Sequence, residues 1–145
     1  MKLGCLSLNL KSLGCIVDER LKSESACASV PPEALSVAWI LEYIYVNPNE
    51  DIFQKNIEQN FRIARSAASK MLVSLEKLNL IKRYRVSHDA RLKKLVLTDA
   101  GRSAAEAVHS ESKKLEKEIL GSITPDEARC FLNVLGKLSL SNDNA

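Results

Sequence analysis

Residues 82–98, KRYRVSHDARLKKLVLT, are where the apolar pattern of this chain stops stepping by three and four and begins to alternate. Two short runs, LIKRYRV and RLKKLVL, flank the polar SHDA, which together are the signals of a β-hairpin. Six basic side chains and a single acid crowd the stretch. Like charges held close together cost stability, so the pattern implies that something acidic visits the hairpin. One small hairpin in an otherwise helical pattern also restricts the fold: the chain is expected to be mainly α, with the hairpin as an appendage.

The helical segments follow from spacing. Apolar residues at 3, 6, 10, 13, 17 and 21 mark one face of a helix over Leu3–Leu21. SVPPE interrupts it, since proline fits a helix only in its first turn. A second helix is expected over Glu33–Val46, with Ala34, Ala38, Leu41 and Ile44 or Tyr45 turned inward. NPNED reads as a turn. A short helix, Ile52–Gln59, and a longer one, Ser66–Leu78, follow, the latter with apolar residues at 68, 71, 72, 75 and 78. Asn79 tolerates the left-handed conformation that ends a helix. Beyond the hairpin, Thr98 is placed to cap a helix whose stripe runs through Gly101, Ala105, Val108, Ser112, Leu115 and Ile119. TPDE opens a last helix with a Thr cap, a first-turn Pro and a capping-box Glu. Ala128, Phe131, Leu132, Leu135 and Leu138 are its expected buried face.

Charge narrows the function. The 145 residues carry a net +3, but Gln54–Lys94 holds eleven Lys/Arg against three acids, a net +8 that leaves −5 for the rest. A focused positive field attracts and steers polyanions. No run approaches the roughly 18 apolar residues of a membrane span. The N-terminus lacks an unbroken apolar core, so a cytoplasmic protein with no membrane partner is expected. The cysteines, Cys5, Cys15, Cys27 and Cys130, show no metal-type spacing and read as small buried hydrophobes. His88 and His109 are expected to face solvent. With no nucleophile motif, phosphate loop or acidic cluster, the enzyme reading is weak, and a non-enzyme without cofactor or metal is expected.

A short helix, a turn and a longer helix form a helix-turn-helix, and the basic hairpin makes it winged. The longer helix suits the major groove, with Arg65, Ser66, Ala67, Ser69 and Lys70 leading it. Arg91, just past the hairpin tip, suits a minor groove, with Asp89 holding its guanidinium. Lys93 and Lys94 would meet flanking phosphates, and Arg85 lies on the neighbouring strand. The alternative is a winged helix that docks another protein without specific DNA binding, a role that needs no basic groove-facing surface.

The stretch from Glu50 to Arg102 resembles the DNA-binding core of the MarR family of bacterial transcriptional regulators. The likeness is carried by LEKLNLIKR, DARLKKLVLT and the D-x-R wing tip. The resemblance implies a single domain over 1–145, with a winged helix-turn-helix lobe over 32–100 and dimerisation helices over 1–30 and 101–140. It implies a homodimeric regulator, expected to be a repressor, reading a pseudo-palindromic double-stranded operator. Gln54 would then open the first helix of the motif, and Asp89 with Arg91 would form the wing tip. Phe61 and Arg62 occupy a turn that in the family often holds glycine or a small polar residue. The resemblance further implies release by a small phenolic or aromatic ligand near Trp39, Tyr43 and Tyr45, or by thiol oxidation at Cys5 or Cys15. The apolar stripes of Leu3–Leu21 and Gly101–Ile119 independently exceed what one small domain covers, which points to a second copy.

Overall fold

The computed structural model describes residues 6–21, 30–86 and 89–140. After helix α1 (Leu6–Leu21), the expected helix over Glu33–Val46 is two pieces, a 3₁₀ turn at Pro32–Val37 and α2 at Ala38–Val46. Val37, at φ −126° and ψ 8°, leaves helical geometry, and the Ala38 N–H donates back to the Leu35 carbonyl, the tighter 3₁₀ pattern. The α2 sequence AWILEYIYV is apolar on most sides, so the helix is packed from most sides: Ile40 and Leu41 are fully enclosed. Ile44, not Tyr45, completes its inward face.

The next helix, α3 (Gln54–Asn60), starts later than the pattern predicts because Phe53 is extended. The Leu95 N–H donates to the Ile52 carbonyl at 2.7 Å, and Phe53 bridges Lys94, so the two residues add a rudimentary third strand to the hairpin. Asn56 caps α3, its Oδ1 accepting from the Phe53 N–H at 2.8 Å. Helix α4 (Arg65–Lys77) follows, burying Ala68, Leu72 and Leu75.

Both helices of this pair end the same way. Asn79 has φ 55°, with its N–H bonded to the Glu76 carbonyl and the Leu80 N–H to the Leu75 carbonyl, while Leu75 and Leu80 are both buried. That is the Schellman termination with its hydrophobic contact. After α3 the left-handed residue is Arg62, φ 50°, with the Ile63 N–H on the Glu58 carbonyl.

Strands β1 (Ile81–Val86) and β2 (Asp89–Leu97) pair antiparallel from Ile81↔Leu97 to Arg85↔Lys93. A register shift after Arg85 then pairs Val86 with Asp89, so β2 begins inside the expected SHDA tip. Thr98 ties the hairpin to α5 (Asp99–Gly121). Its hydroxyl donates to the Asn79 carbonyl at 2.6 Å and accepts from the Gly101 N–H at 2.9 Å, the cap the sequence predicts. Gly101 is obligatory at that junction. A Cβ there would stand 1.8 Å from the Leu80 carbonyl oxygen.

The chain separates into two compact units between Glu111 and Ser112, inside α5. The core of the first unit is drawn from the 3₁₀ turn, α2–α4, the hairpin base, and Ala104, Ala105 and Val108 of α5. In the second unit, α6 (Pro125–Leu140) opens with the predicted capping box: Thr124 N–H to Glu127 Oε2 at 2.8 Å and Glu127 N–H to Thr124 Oγ1 at 3.3 Å. Its expected buried face is not buried. Phe131, Leu132 and Leu138 are exposed, as are Leu8, Leu10, Leu13 and Ile16 of α1. The amphipathic pattern of α6 is there, but the described residues of its own unit do not cover it. Cys15 and Cys130, expected to be buried, are exposed on these same two helices, while Cys5 and Cys27 lie outside the described residues. No described helix is long and apolar enough to cross a membrane.

Candidate nucleic-acid interface

Helix α4 turns its first residues outward. Its N-cap, Ala64, makes no side-chain cap and no acid sits in the first turn, so the leading N–H groups keep their positive end open. Arg65, Ser66 and Lys70 are exposed, and Ala67 and Ser69 are half-buried; Ala68 is in the core. Val73, 39% exposed, extends the same outward face and was not singled out by motif. Its signal is its place off the stripe 68, 71, 72, 75, 78, where an apolar residue has no core to enter.

The wing grades from apolar to cationic. On one face the cross-strand pairs run Ile81↔Leu97, Arg83↔Leu95 and Arg85↔Lys93. The last sets two cations directly opposite each other, an arrangement that is unfavourable without a counter-charge. Lys94, on the other face, is ion-paired with Asp51 beside the Phe53 bridge. Asp89 and Arg91 belong to β2, but their side chains, like residues 87–88 with His88, lie outside the described residues.

Where α3, α4 and the wing meet lies a cleft of about 430 Å³, with Gln54, Lys55, Glu58, Arg65, Arg83 and Lys93 as its polar lining. It brings together Gln54, Arg65 and Lys93 from the sequence-predicted set and adds Lys55 and Arg83, which the charge count includes but no motif singles out. Gln54 braces the motif: its amide donates to Glu58 Oε1 at 2.8 Å and reaches the Arg65 carbonyl at 3.4 Å.

The aromatic residues of α2 make two separate sets of ring contacts. Trp39 and Tyr43 pack on Phe61, with ring centroids 4.3 and 5.2 Å away, and the Asn60 amide donates to the Tyr43 hydroxyl. Tyr45 instead lies 5.6 Å from the His109 ring. His109 is not the solvent-facing residue expected: its Nδ1 is 3.0 Å from Glu42 Oε1, and it is half-buried between α5 and α2.

Comparison with known proteins decides the family. The MarR family model matches residues 32–92, the span from the 3₁₀ turn into the wing. The uncharacterized HTH-type transcriptional regulator YwhA of Bacillus subtilis is 30% identical over 113 residues, covering 77% of this chain and 80% of that protein. The chain belongs to the MarR family. A second B. subtilis HTH-type regulator, YdgJ, is 25% identical over 119 residues, 82% of this chain and 70% of its own length. The fold agrees as well. A MarR family transcriptional regulator from Listeria monocytogenes, solved complexed with 26mer DNA, matches with a TM-score of 0.81 at 20% identity, over 97% of this chain and 89% of that one. This MarR-family chain is a transcriptional regulator with a winged helix-turn-helix, not an enzyme.

Proposed function

We propose that this regulator is a cytoplasmic, homodimeric repressor that reads a pseudo-palindromic double-stranded operator. The observation that carries the reading is the convergence on one cleft of α4's uncapped start, Arg65, Lys93 and the wing face on which Arg85 opposes Lys93. Such a surface is unfavourable by itself and favourable against phosphates. A protein-docking winged helix would not need it.

In the proposed complex α4 enters the major groove. Arg65, Ser66, Ser69 and Lys70 face phosphates and base edges, Ala67 permits close approach, and Val73 offers an apolar contact to a thymine methyl. Arg91, held by Asp89, reaches the adjacent minor groove, and Arg85 and Lys93 meet phosphates along the wing. The uncovered apolar faces of α1 and α6 support dimerisation, which sets two such heads about one helical turn apart. Occupancy of a promoter would then exclude polymerase.

The test is selection of bound fragments from the parent genome followed by titration of the selected duplex. Arg91→Ala should weaken binding by on the order of 1–3 kcal/mol and relax preference at the minor-groove positions. Wild-type protein that selects no sequence above background would leave the protein-docking alternative standing.

A further inference from the structure

The floor of the cleft between α3, α4 and the wing holds a guanidinium with less bonding than its burial calls for. Arg83, on β1, keeps 15% of its side-chain surface. Its Nε stands 3.2 Å from Glu76 Oε2 on α4, an ion-pair separation without hydrogen-bond alignment, and both Nε and Nη2 are enclosed with no hydrogen-bond partner. An enclosed donor left unmade is unfavourable, and native structures keep few of them, mostly where the group has a task. One carboxylate also cannot answer a fork of five N–H donors.

The surroundings say what would. The lining sets four cations, Lys55, Arg65, Arg83 and Lys93, against the single carboxylate of Glu58, which already accepts the Gln54 amide at 2.8 Å. Low local dielectric strengthens the field of a half-enclosed cation. A guanidinium held from behind by Glu76 sets a fixed positive charge in the floor of the cleft, and charge alone draws a phosphate oxygen to its open side even though Nε and Nη2 are enclosed. Lys55, exposed in the first turn of α3, stands on the wall of the same cleft.

We infer that the cleft is a seat for one backbone phosphodiester of duplex DNA, held by Arg83 from the floor and Lys55 from the wall. This rests on the DNA-binding reading above and adds to it two residues that reading does not use. Arg83 is anchored on the wing and, through Glu76, on the recognition helix. A phosphate seated on it therefore locks the pitch of the one against the other, which is how backbone contacts set register without reading bases.

The experiment uses the full chain and a mixed-sequence duplex of about three helical turns, with affinity measured across a salt series and thermal unfolding followed in parallel. Lys55→Ala and Arg83→Gln should each reduce the slope of log K against log salt, and the double variant should reduce it by about 0.9 in all, one phosphate's worth of released counterion. Arg83→Lys, which keeps the charge, should retain the slope. Replacing single phosphates of the duplex by neutral methylphosphonates should reveal one position at which Lys55→Ala no longer weakens binding. Wild-type slopes in both Lys55→Ala and Arg83→Gln, with the wild type binding normally, would overturn the seat and leave DNA binding intact. Failure of the wild type to bind the duplex even in dilute salt would overturn the function itself, and the seat with it. Should Arg83→Gln unfold, Lys55→Ala decides alone, because Lys55 is exposed and no part of the core.

Discussion

Helices α4 and α6 carry apolar residues at the same steps of three and four, yet they end up differently. Helix α4 encloses Ala68, Leu72 and Leu75 completely, whereas α6 encloses none of its described residues and leaves Phe131, Leu132 and Leu138 in solvent. Periodicity states that a face is to be covered, not what covers it. In the winged-helix lobe the cover comes from the same chain; for α6 the proposed cover is a second copy.

The largest expected effect separates these two kinds of burial. Leu72→Ala should cost about 2–5 kcal/mol, by lost transfer energy and the cavity left behind, and the loss should be the same at every protein concentration. Leu132→Asp should act only through association. The wild-type denaturation midpoint should rise with protein concentration by mass action, and Leu132→Asp should flatten that rise. A wild-type midpoint indifferent to concentration would break the comparison, since α6 would then be merely solvated.

The same distinction explains what was legible in the sequence. Local signals held: Asn79 at the end of α4, Thr98 capping α5 and the Thr124–Glu127 box each depend on groups within a few residues. What the sequence did not disclose depends on contacts distant in the chain. The bond from Leu95 to the Ile52 carbonyl ties an expected helix start to the hairpin instead. The ion pair of Lys94 with Asp51 engages a cation that the alternation alone presents as free for phosphate. Phe61, read as a turn residue, draws Trp39 and Tyr43 into one cluster, while Tyr45 packs on His109. In the candidate site, charge density marked the right segment, but only the packed structure distinguishes the enclosed Arg83 from its exposed neighbours.

Adjacent lysines of β2 sharpen the contrast at the interface. Lys93 faces another cation, Arg85, while Lys94 already has Asp51. Lys93→Ala should therefore reduce the salt slope of DNA binding by about 0.9 and Lys94→Ala by less. Stability should move in opposite directions. Lys93→Ala should gain a few tenths of a kcal/mol by removing a like-charge pair, and Lys94→Ala should lose up to about 1 kcal/mol with its surface ion pair. Equal salt slopes for the two variants would show that the in-chain partner of Lys94 is irrelevant to what the wing offers DNA.

A smaller effect is expected where the lobe tolerates strain that its own packing offsets. Arg62 closes α3 in the left-handed conformation, φ 50°, which costs a side-chain-bearing residue on the order of 1–2 kcal/mol. Arg62→Gly removes that strain but frees the unfolded chain and gives up the interaction Arg62 makes, so a net gain of no more than about 0.5 kcal/mol is expected in urea denaturation. A loss instead would mean that the side chain of Arg62, and not its backbone, determines the turn.

The smallest effect concerns α6, which, lacking enclosed residues, depends more on its own ends. The Glu127 carboxyl is held below the usual carboxylate range, first by the Thr124 backbone N–H and then by the Thr124 hydroxyl. A group whose value is lowered on folding stabilises the folded form above its unfolded value, and that contribution is lost as pH falls through the lowered one. Helicity of α6 should therefore decline as the pH falls from above the ordinary glutamate value, about 4.3, to below it. Glu127→Gln keeps an acceptor for the same N–H but cannot titrate, so it should remove this component of the decline while leaving the neutral-pH spectrum nearly unchanged. In the lobe, where packing and not a cap holds α4, no comparable dependence should come from its Ala64 end, which carries no first-turn acid. Circular dichroism of the wild type and Glu127→Gln over that pH range measures the difference, and superimposable curves would mean that the capping box contributes nothing to the helix it opens.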